Sequence, residues 1–139
     1  MKLLNLLLIA SIASSWVCAK EKFFVVEREN ESLATIYNGV KRANITGMHD
    51  MNHGVVKFDG KDGYAISRDG FVVKFDPESE KILAEYKTSK SAIGFVIGAN
   101  YVAVANYDDK SVDILDRDLK PLEKIQKKKK NVGIKTYEN

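Results

Sequence analysis

The sequence predicts an all-β fold, and two features of its 139 residues support that prediction. After residue 20 the chain consists of short apolar runs of four to six residues, separated by turns rich in Gly and Asp. Gly accepts positive φ and Asp bonds its own downstream backbone, so both residues favour tight turns between strands. No stretch beyond residue 20 keeps a helical period of apolar residues through three turns. The chain is therefore expected to consist of antiparallel strands.

Six apolar runs are the clearest predicted strands. They span residues 55–58, 64–67, 71–75, 82–86, 101–105 and 112–115. Together with the shorter runs 94–96 and 121–123, they fall into two units of four strands. The first unit opens at Gly54 and the second at Gly94, 40 residues later. A four-stranded unit of about 40 residues is the period of a β-propeller blade.

Two partial copies flank the whole units. We interpret residues 24–26 (Phe-Val-Val) as a copy of residues 71–73 in the third strand of a blade, followed by a fourth strand at 33–37. Residues 131–139 echo residues 92–100 and are predicted to form the first strand of another blade. The expected content is half a blade, two whole blades and one further strand, or about three blades.

The predicted blades are too few to close a ring. A propeller closes by circular packing, because an open ring leaves edge strands and apolar sheet faces in water. Four blades of about 40 residues would need about 160 residues, and larger rings would need over about 300. We therefore expect residues 20–139 to be the N-terminal part of a longer, truncated propeller domain. Assembly of several copies into one ring is the alternative.

Residues 1–19 have the pattern of a signal peptide. After a positive start, residues 3–17 carry no charge and are fewer than the roughly 20 residues of a spanning helix. The residues before position 20 fit cleavage after Ala19, which predicts export to the periplasm. A lipid anchor on Cys18 is the less favoured alternative, because Val17 stands where a small residue usually precedes a lipidated cysteine. Only that anchor would attach the protein to a membrane.

The composition excludes several classes of protein. With 22 Lys and Arg against 19 Asp and Glu, the net charge of +3 is too weak and too mixed in sign to predict a nucleic-acid partner. Hydrophobic residues make up 45% and charged residues 29%, which fits neither a polytopic membrane protein nor a strongly disordered chain. A single cysteine excludes an intramolecular disulfide. Four consecutive lysines, at 127–130, are predicted to form a solvated connection between blades.

Both histidines of the chain lie in one segment, residues 47–54. On a helix, the spacing of His49 and His53 would place two metal ligands on one face. The flanking glycines and the strand that begins beside Gly54 argue against a helix, and a structural zinc site would need two further ligands. A zinc site is therefore not expected here.

A site at the mouth of the propeller channel is a second interpretation of His53. The first strand of a blade lines the channel, so the residue that enters this strand should point toward the opening. An imidazole there could ligate a haem iron, and Gly54 would let a flat macrocycle approach the backbone. Met48 and Met51 could supply packing or a soft ligand atom. The alternative is a rim histidine that is bonded to loop backbone.

The run 53–76 resembles the haem d1 domain family, which includes the d1 domain of cytochrome cd1 nitrite reductase and the haem d1 biogenesis proteins. The shared pattern is a histidine, an apolar strand, an Asp-Gly turn, an aromatic strand, Arg-Asp-Gly at 68–70, and a strand that ends in Asp. The likeness continues through 101–107 and 112–116. Upstream, residues 26–28 (Val-Glu-Arg) resemble the opening of the NirF-type biogenesis proteins.

The resemblance implies an eight-bladed propeller that binds haem d1 or its tetrapyrrole precursor over the central channel. It places His53 at the position of the family's iron-ligating histidine, with Gly54 beside it in the same site. Residues 68–70 match a family motif and are expected to build a turn, whereas Arg28 matches a family arginine whose role stays open. The chain has no Cys-x-x-Cys-His motif, so the c-type haem domain of nitrite reductase and of NirN is not expected, which favours the NirF type.

These features predict a periplasmic protein of haem d1 biosynthesis, acting in nitrite reductase maturation and denitrification. It would bind the tetrapyrrole through His53 as a carrier or late-step maturation factor. Whether it is an enzyme stays open; in that case His53 would be the catalytic ligand or proton-transfer group. Other biogenesis proteins or nitrite reductase are the expected partners. The lysines at 127–130 could attract anionic lipid or a carboxylate-rich tetrapyrrole. The alternative function is a non-haem propeller scaffold that binds a protein partner.

Overall fold

The computed structural model describes residues 21–137, which form eleven β-strands and no helix. The strands are β1 Lys22–Glu27, β2 Ser32–Tyr37, β3 Val40–Thr46, β4 Val55–Asp59, β5 Asp62–Ile66, β6 Phe71–Asp76, β7 Lys81–Lys87, β8 Ala92–Ile97, β9 Val102–Asn106, β10 Ser111–Leu115 and β11 Pro121–Gln126. The all-β prediction is confirmed, and each of the eight predicted strands of the two whole units is present. The predicted signal peptide and Cys18 lie outside the described residues.

The strands form three antiparallel sheets with a simple meander order. The first sheet has the order β1-β2-β3, the second β4-β5-β6-β7, and the third β8-β9-β10-β11. Four consecutive antiparallel strands are the architecture of a propeller blade. Within residues 21–137, no helix is long and apolar enough to cross a membrane.

A register shift recurs at the same place in every sheet and confirms the repeat. Pairing with the next strand slips by one residue after Thr35, after Lys74 and after Ile114, which are 39 and 40 residues apart. The shift also corrects the predicted position of the first partial unit. Phe24 pairs with Thr35 as Tyr64 pairs with Lys74, so β1 corresponds to the second strand of a blade and not to the third.

The first sheet therefore has three strands, and the prediction of half a blade was wrong. The strand that the sequence did not indicate is β3, which lies at the outer edge of its sheet. Six of its seven residues are exposed or half-buried. Its sequence accordingly lacks the continuous apolar run that indicates the central strands of a sheet. An outer strand can be polar because one of its edges and much of its surface face water.

The predicted strand at 131–139 was also wrong for its described part, since residues 127–137 form no strand. The segment nevertheless follows the third sheet closely. The Asn131 side-chain amide donates hydrogen bonds to the carbonyl oxygens of Asn106 and Ser111, at 3.0 and 2.7 Å. Ile134 lies beside Gly94 of β8, the inner edge strand. Among the described residues, no further strand is present to pair with this segment.

Two apolar clusters join the three sheets. The first cluster, between the first and second sheets, contains Leu33, Ile45, Met48, Met51, Ala65, Val73 and Phe75. The second, between the second and third sheets, contains Tyr64, Ile66, Val72, Ala92, Phe95, Val102, Val104, Leu115 and Leu119. Packing adjacent sheets face to face in this way buries the apolar face that one blade alone would leave in water.

Alternate connections meet at the same end of the sheets, because successive strands run in opposite directions. The connections 28–31, 47–54, 67–70, 88–91, 107–110 and 127–130 form one face, called here the histidine face. Backbone hydrogen bonds from Arg68 to Asp50, from Thr88 to Gly70, from Tyr107 to Ser91 and from Lys127 to Lys110 join neighbouring connections on this face. The turns 38–39, 60–61, 77–80, 98–101 and 116–120 form the opposite face.

Candidate functional site

His53 lies at the tip of a tight turn that leads into β4, the inner edge strand of the second sheet. The Gly54 N–H donates to the Met51 carbonyl at 2.9 Å, and His53 itself has a positive φ of 61°. The Asn52 N–H donates to the Asp50 carboxylate at 2.9 Å, which fixes the start of the turn. The His53 side chain is exposed and makes no hydrogen bond with any residue that the structure describes. Both ring nitrogens are thus available to a ligand.

The His53 side chain opens into a cleft between the second and third sheets, with a volume of about 320 Å³. The residues that line the cleft are His53, Arg68, Ser91, Ala92, Ile93 and Tyr107. They combine one imidazole, one guanidinium and one phenol with two apolar side chains. None of these residues is acidic, so the cleft is suited to an anionic molecule with an apolar body.

Arg68 was expected to be part of a turn, and the structure gives it a second location in the cleft. Its neighbours form the turn: the Ser67 hydroxyl donates to the Asp69 carboxylate at 2.5 Å, and Gly70 has a φ of 89°. The Arg68 N–H donates to the Asp50 carbonyl at 2.8 Å, which ties this turn to the segment that carries His53. Its guanidinium has no hydrogen-bond or ion-pair partner within residues 21–137.

The repeat places Arg68 in a series of three equivalent residues. The second-strand residues that pair with the last residue before each register shift are Phe24, Tyr64 and Ala103. Arg28, Arg68 and Tyr107 each follow the corresponding residue by four positions, just after the second strand of a blade. All three side chains are exposed on the histidine face. Arg28 lines a separate depression of about 580 Å³ that also includes Glu27, Glu29 and Asn52, the last next to His53. Two arginines thus flank the turn that carries His53.

A buried polar network holds the connections around the cleft. The Thr88 hydroxyl lies 2.8 Å from both the Gly70 carbonyl and the Asn106 side-chain oxygen. The Asn106 amide donates to the Ser111 hydroxyl at 3.1 Å and to the Asp113 carboxylate at 2.5 Å. Burial raises the pKa of Asp113, against the attraction of Lys124. Since Asn106 precedes Tyr107, this network fixes the backbone that carries one wall of the cleft.

His49 has a different environment from His53, although they share one segment. Its ring stacks on Phe71, with 3.6 Å between centroids and 3° between planes. Its Nε2 lies 3.1 Å from a Glu85 carboxylate oxygen on β7. Residues 47–54 form no helix, so the helical spacing of the two histidines has no structural counterpart. In the part of the chain that the structure describes, no cluster of three His, Cys, Asp or Glu residues could hold a metal ion.

Gly54 and the two methionines have a packing role in the structure. Met48 and Met51 are fully buried in the first apolar cluster, and neither residue lines the cleft. A Cβ on Gly54 would lie 2.6 Å from Met51 Cε and 3.2 Å from the Met51 carbonyl oxygen. Glycine is thus needed to accommodate Met51. Contact between the Gly54 backbone and a macrocycle stays a prediction.

Sequence patterns alone did not reveal the cleft residues on the third sheet. Ser91 and Tyr107 belong to the connections 88–91 and 107–110, and Ala92 and Ile93 begin β8; all four lie 38 to 54 positions after His53. The signal that could have found Tyr107 is the repeat. Tyr107 follows Arg68 by 39 residues and Arg68 follows Arg28 by 40, and the strand pairing places the three residues at one position of successive blades.

A family model settles the relationship of the chain to known proteins. The model of the cytochrome D1 heme domain matches residues 18–136. The chain belongs to this family. The predicted resemblance to haem d1 domain proteins is therefore confirmed at the level of the family. No curated protein sequence matches the chain.

Several solved structures resemble the fold of the chain. One is the dihydro-heme d1 dehydrogenase NirN in complex with DHE, at 28% identity and a TM-score of 0.69, over 75% of this chain and 24% of that one. Kuenenia stuttgartiensis hydrazine synthase has a TM-score of 0.68 at 14% identity, and Citrobacter koseri AztD 0.65 at 14%. Each of these two aligns over 81% of this chain and 34% of its own length, and they support the fold alone. The chain thus spans about a quarter to a third of these proteins.

The residues of the cleft fit the chemistry of a haem. A haem needs an axial donor to iron, cations for its carboxylates and apolar surface for its ring. His53 offers an unbonded imidazole, Arg68 a guanidinium without an ion-pair partner among the described residues, and Ala92 and Ile93 an apolar wall. The cytochrome D1 domain of this chain therefore carries a donor set suited to a carboxylate-bearing iron tetrapyrrole.

Proposed function

We propose that this cytochrome D1 domain binds haem d1, or a tetrapyrrole precursor of it, at the cleft beside His53. The observation that carries the proposal is the state of His53: an exposed imidazole, unbonded to the described residues, in a cleft that contains a cation and no acid. Family membership and the likeness to NirN, solved with its ligand DHE, support the same ligand class.

The cleft residues would share the work of holding the ligand. His53 would ligate the iron, with the other ring nitrogen free to bond solvent or a partner. Arg68 would pair with a ligand carboxylate, since a guanidinium makes two parallel charge-assisted hydrogen bonds to such a group. Ala92 and Ile93 would contact the apolar ring.

In biological terms, we propose a protein of haem d1 biosynthesis that serves nitrite reductase maturation. It would hold the tetrapyrrole as a carrier or assist a late step, and in the second case His53 would be the proton-transfer group. Partners would be other biogenesis proteins or nitrite reductase. A carrier would release the bound tetrapyrrole unchanged to such a partner, whereas a maturation factor would change its absorption spectrum.

The test is an absorbance titration of the chain with haem d1, comparing the wild type with His53→Ala. His49→Ala is the matched control, because His49 lies in the same segment but stacks on Phe71. We expect the wild type and His49→Ala to bind with the same spectrum, and His53→Ala to lose the ligated spectrum and about tenfold or more in affinity. Equal spectra and affinity in all three would remove His53 from the site. No binding by the wild type would favour a non-haem scaffold.

We also propose a periplasmic location, supported by the signal-like pattern of residues 1–19. Cleavage after Ala19 would leave a chain that begins at Lys20, whereas acylation would leave a lipid on Cys18. The intact mass of the protein recovered from the periplasmic and membrane fractions distinguishes the two products. An uncleaved protein confined to the cytoplasm would contradict export.

A further inference from the structure

The histidine face carries cations without ionic partners. Arg28, Arg68, Lys87, Lys90, Lys110 and the lysines at 127–130 all belong to its connections or to the strand ends beside them. Within residues 21–137, none of these side chains lies within 4.0 Å of a carboxylate oxygen. Their charge is therefore not neutralised by close ion pairs, and their field extends into the solvent in front of the cleft.

The opposite face carries both paired and unpaired cations. Arg117 lies 2.6 Å from Asp59 and Lys74 lies 2.9 Å from Asp118, whereas Lys61, Lys81 and Lys120 make no ion pair with the described residues. Lys22 lies 2.8 Å from Glu80. Its turns also carry further acids, Asp76, Glu78 and Asp116. The connections of the histidine face hold eight cations and six acids, a net charge of +2, whereas the turns of the opposite face hold three cations and four acids, a net charge of −1. The excess of positive charge at the end that holds His53 therefore comes from the four lysines at 127–130.

The lysines at 127–130 are the largest part of this positive charge and lie close to the cleft. The Lys127 N–H donates to the Lys110 carbonyl at 2.8 Å, which fixes the start of the connection on the histidine face. At its end, Lys130 Nζ lies 4.2 Å from the ring centroid of Tyr107, a residue of the cleft. All four side chains are exposed, and none of them lines the cleft.

We propose that residues 127–130 are an electrostatic steering surface that draws a polycarboxylate tetrapyrrole toward the cleft. The inference rests on the proposed function, since it concerns how the same ligand arrives. Tetrapyrroles of this class carry several carboxylates on their rim, so they respond to the field of an unneutralised lysine cluster. The lysines would raise the rate of encounter, whereas His53 and Arg68 would hold the bound ligand.

The distances and the screening length support a long-range effect. Three residues span at most about 11 Å, so the whole connection lies within about that distance of the Lys130 backbone. The Debye length is about 30 Å at 0.01 M salt and about 8 Å at 0.15 M. At low salt the four charges therefore act together on an approaching anion, and at physiological salt or above they are largely screened. Steering of this kind raises association rates by about 10-fold or more.

The test is stopped-flow binding of haem d1 to the chain at 0.02 and 0.3 M NaCl. The variant is Lys127→Gln/Lys128→Gln/Lys129→Gln, which keeps Lys130 and its contact with Tyr107. The matched control, Lys61→Gln/Lys81→Gln/Lys120→Gln, removes the same charge from exposed positions on the opposite face. All six positions are exposed, and circular dichroism of both variants checks that the fold is retained.

We expect the first variant to bind about three- to tenfold more slowly than the wild type at 0.02 M NaCl and at nearly the same rate at 0.3 M. Its dissociation rate should stay within about twofold, and the control variant should not be slowed. Equal association rates for the two variants at low salt, or a change only in dissociation, would overturn steering while leaving the ligand intact. A wild type that binds no haem d1 would overturn the proposed function and the steering surface together.

Discussion

Gly70→Ala is the substitution whose cost can be worked out most directly from the structure. Gly70 has a φ of 89°, in the left-handed region that residues with a Cβ rarely adopt. A Cβ at this position would overlap the carbonyl oxygen of Ser89 and lie 2.7 Å from its carbonyl carbon. Both atoms are backbone, so no side chain can rotate away. The connections 67–70 and 88–91, which carry Arg68 and Ser91, would have to separate.

The expected cost has two parts. Left-handed backbone costs a non-glycine residue about 1–2 kcal/mol. Forcing extra volume into a closely packed position costs about 1–3 kcal/mol more, because the backbone must shift. The free energy of unfolding of Gly70→Ala should thus fall by about 2–5 kcal/mol. Since native domains have only about 5–15 kcal/mol in total, the variant would lose a large part of its stability.

Gly60→Ala is the control that separates the two parts. Gly60 also has a positive φ, 58°, but a Cβ there would meet no atom within 4 Å. It should therefore lose only the conformational part, about 1–2 kcal/mol. Urea unfolding of both variants, followed by circular dichroism, measures the difference. If Gly70→Ala is no less stable than Gly60→Ala, the close approach of the two connections is not a feature of the folded protein.

Two further predictions concern the first sheet and the first apolar cluster. The Lys41 ammonium and the Asn30 amide lower the pKa of Glu27 to about 2 from 4.5, so its stabilising effect should be complete above about pH 5 and lost as the pH falls toward 2. In urea unfolding, the midpoint difference between wild type and Glu27→Gln should shrink over that range, and a difference that is constant with pH would refute this. Met51→Ala should cost about 2–5 kcal/mol, because Met51 is fully buried. The Met51→Ala background should also reduce the loss of stability caused by Gly54→Ala, because Met51 Cε and Sδ are the nearest atoms to a Cβ at position 54. A double variant whose loss equals the sum of the two single losses would contradict this contact.

The central strands of each sheet could be predicted from the sequence, because burial on both faces requires continuous apolar runs. Residues 71–75 and 101–105 show such runs, and the matching strands β6 and β9 are almost wholly buried. Outer strands lack this signal. The outer strand β11 is fully exposed, and its position was inferred only from the repeat. The outer strand β3 had no complete copy to align with, so it was not predicted.

The error in the first sheet has a physical explanation. Residues 24–26 and 71–73 share the letters Phe-Val-Val, but the second and third strands of a blade are both buried and both apolar. Composition therefore cannot distinguish these two strands. The distinguishing feature is the register shift that follows Thr35 and Lys74, and it depends on backbone pairing with the next strand. Only the structure reveals that pairing.

The sequence placed His53 in the turn before a strand but did not indicate which residues would surround it. The position of His53 can be read from the neighbouring residues alone, because the turn 51–54 leads directly into β4. The cleft depends on contacts between segments that lie apart in the sequence, such as the hydrogen bond from Tyr107 to Ser91 and the packing of Ala92 against the second sheet. The sequence indicated a turn at Asp69 and Gly70 because these residue types favour turns. It did not indicate that the Arg68 side chain, beside that turn, would line the cleft.

All six residues of the cleft come from positions 53–107, which belong to two adjacent sheets and the connections between them. Their relative positions are fixed by the second apolar cluster and by the backbone bonds that join neighbouring connections. The geometry of His53 and Arg68 therefore depends on one interface between blades and not on closure of a whole ring. For this reason the ligand titration is informative with the chain as it stands: affinity would gain from further blades, but the dependence of the spectrum on His53 would not require them.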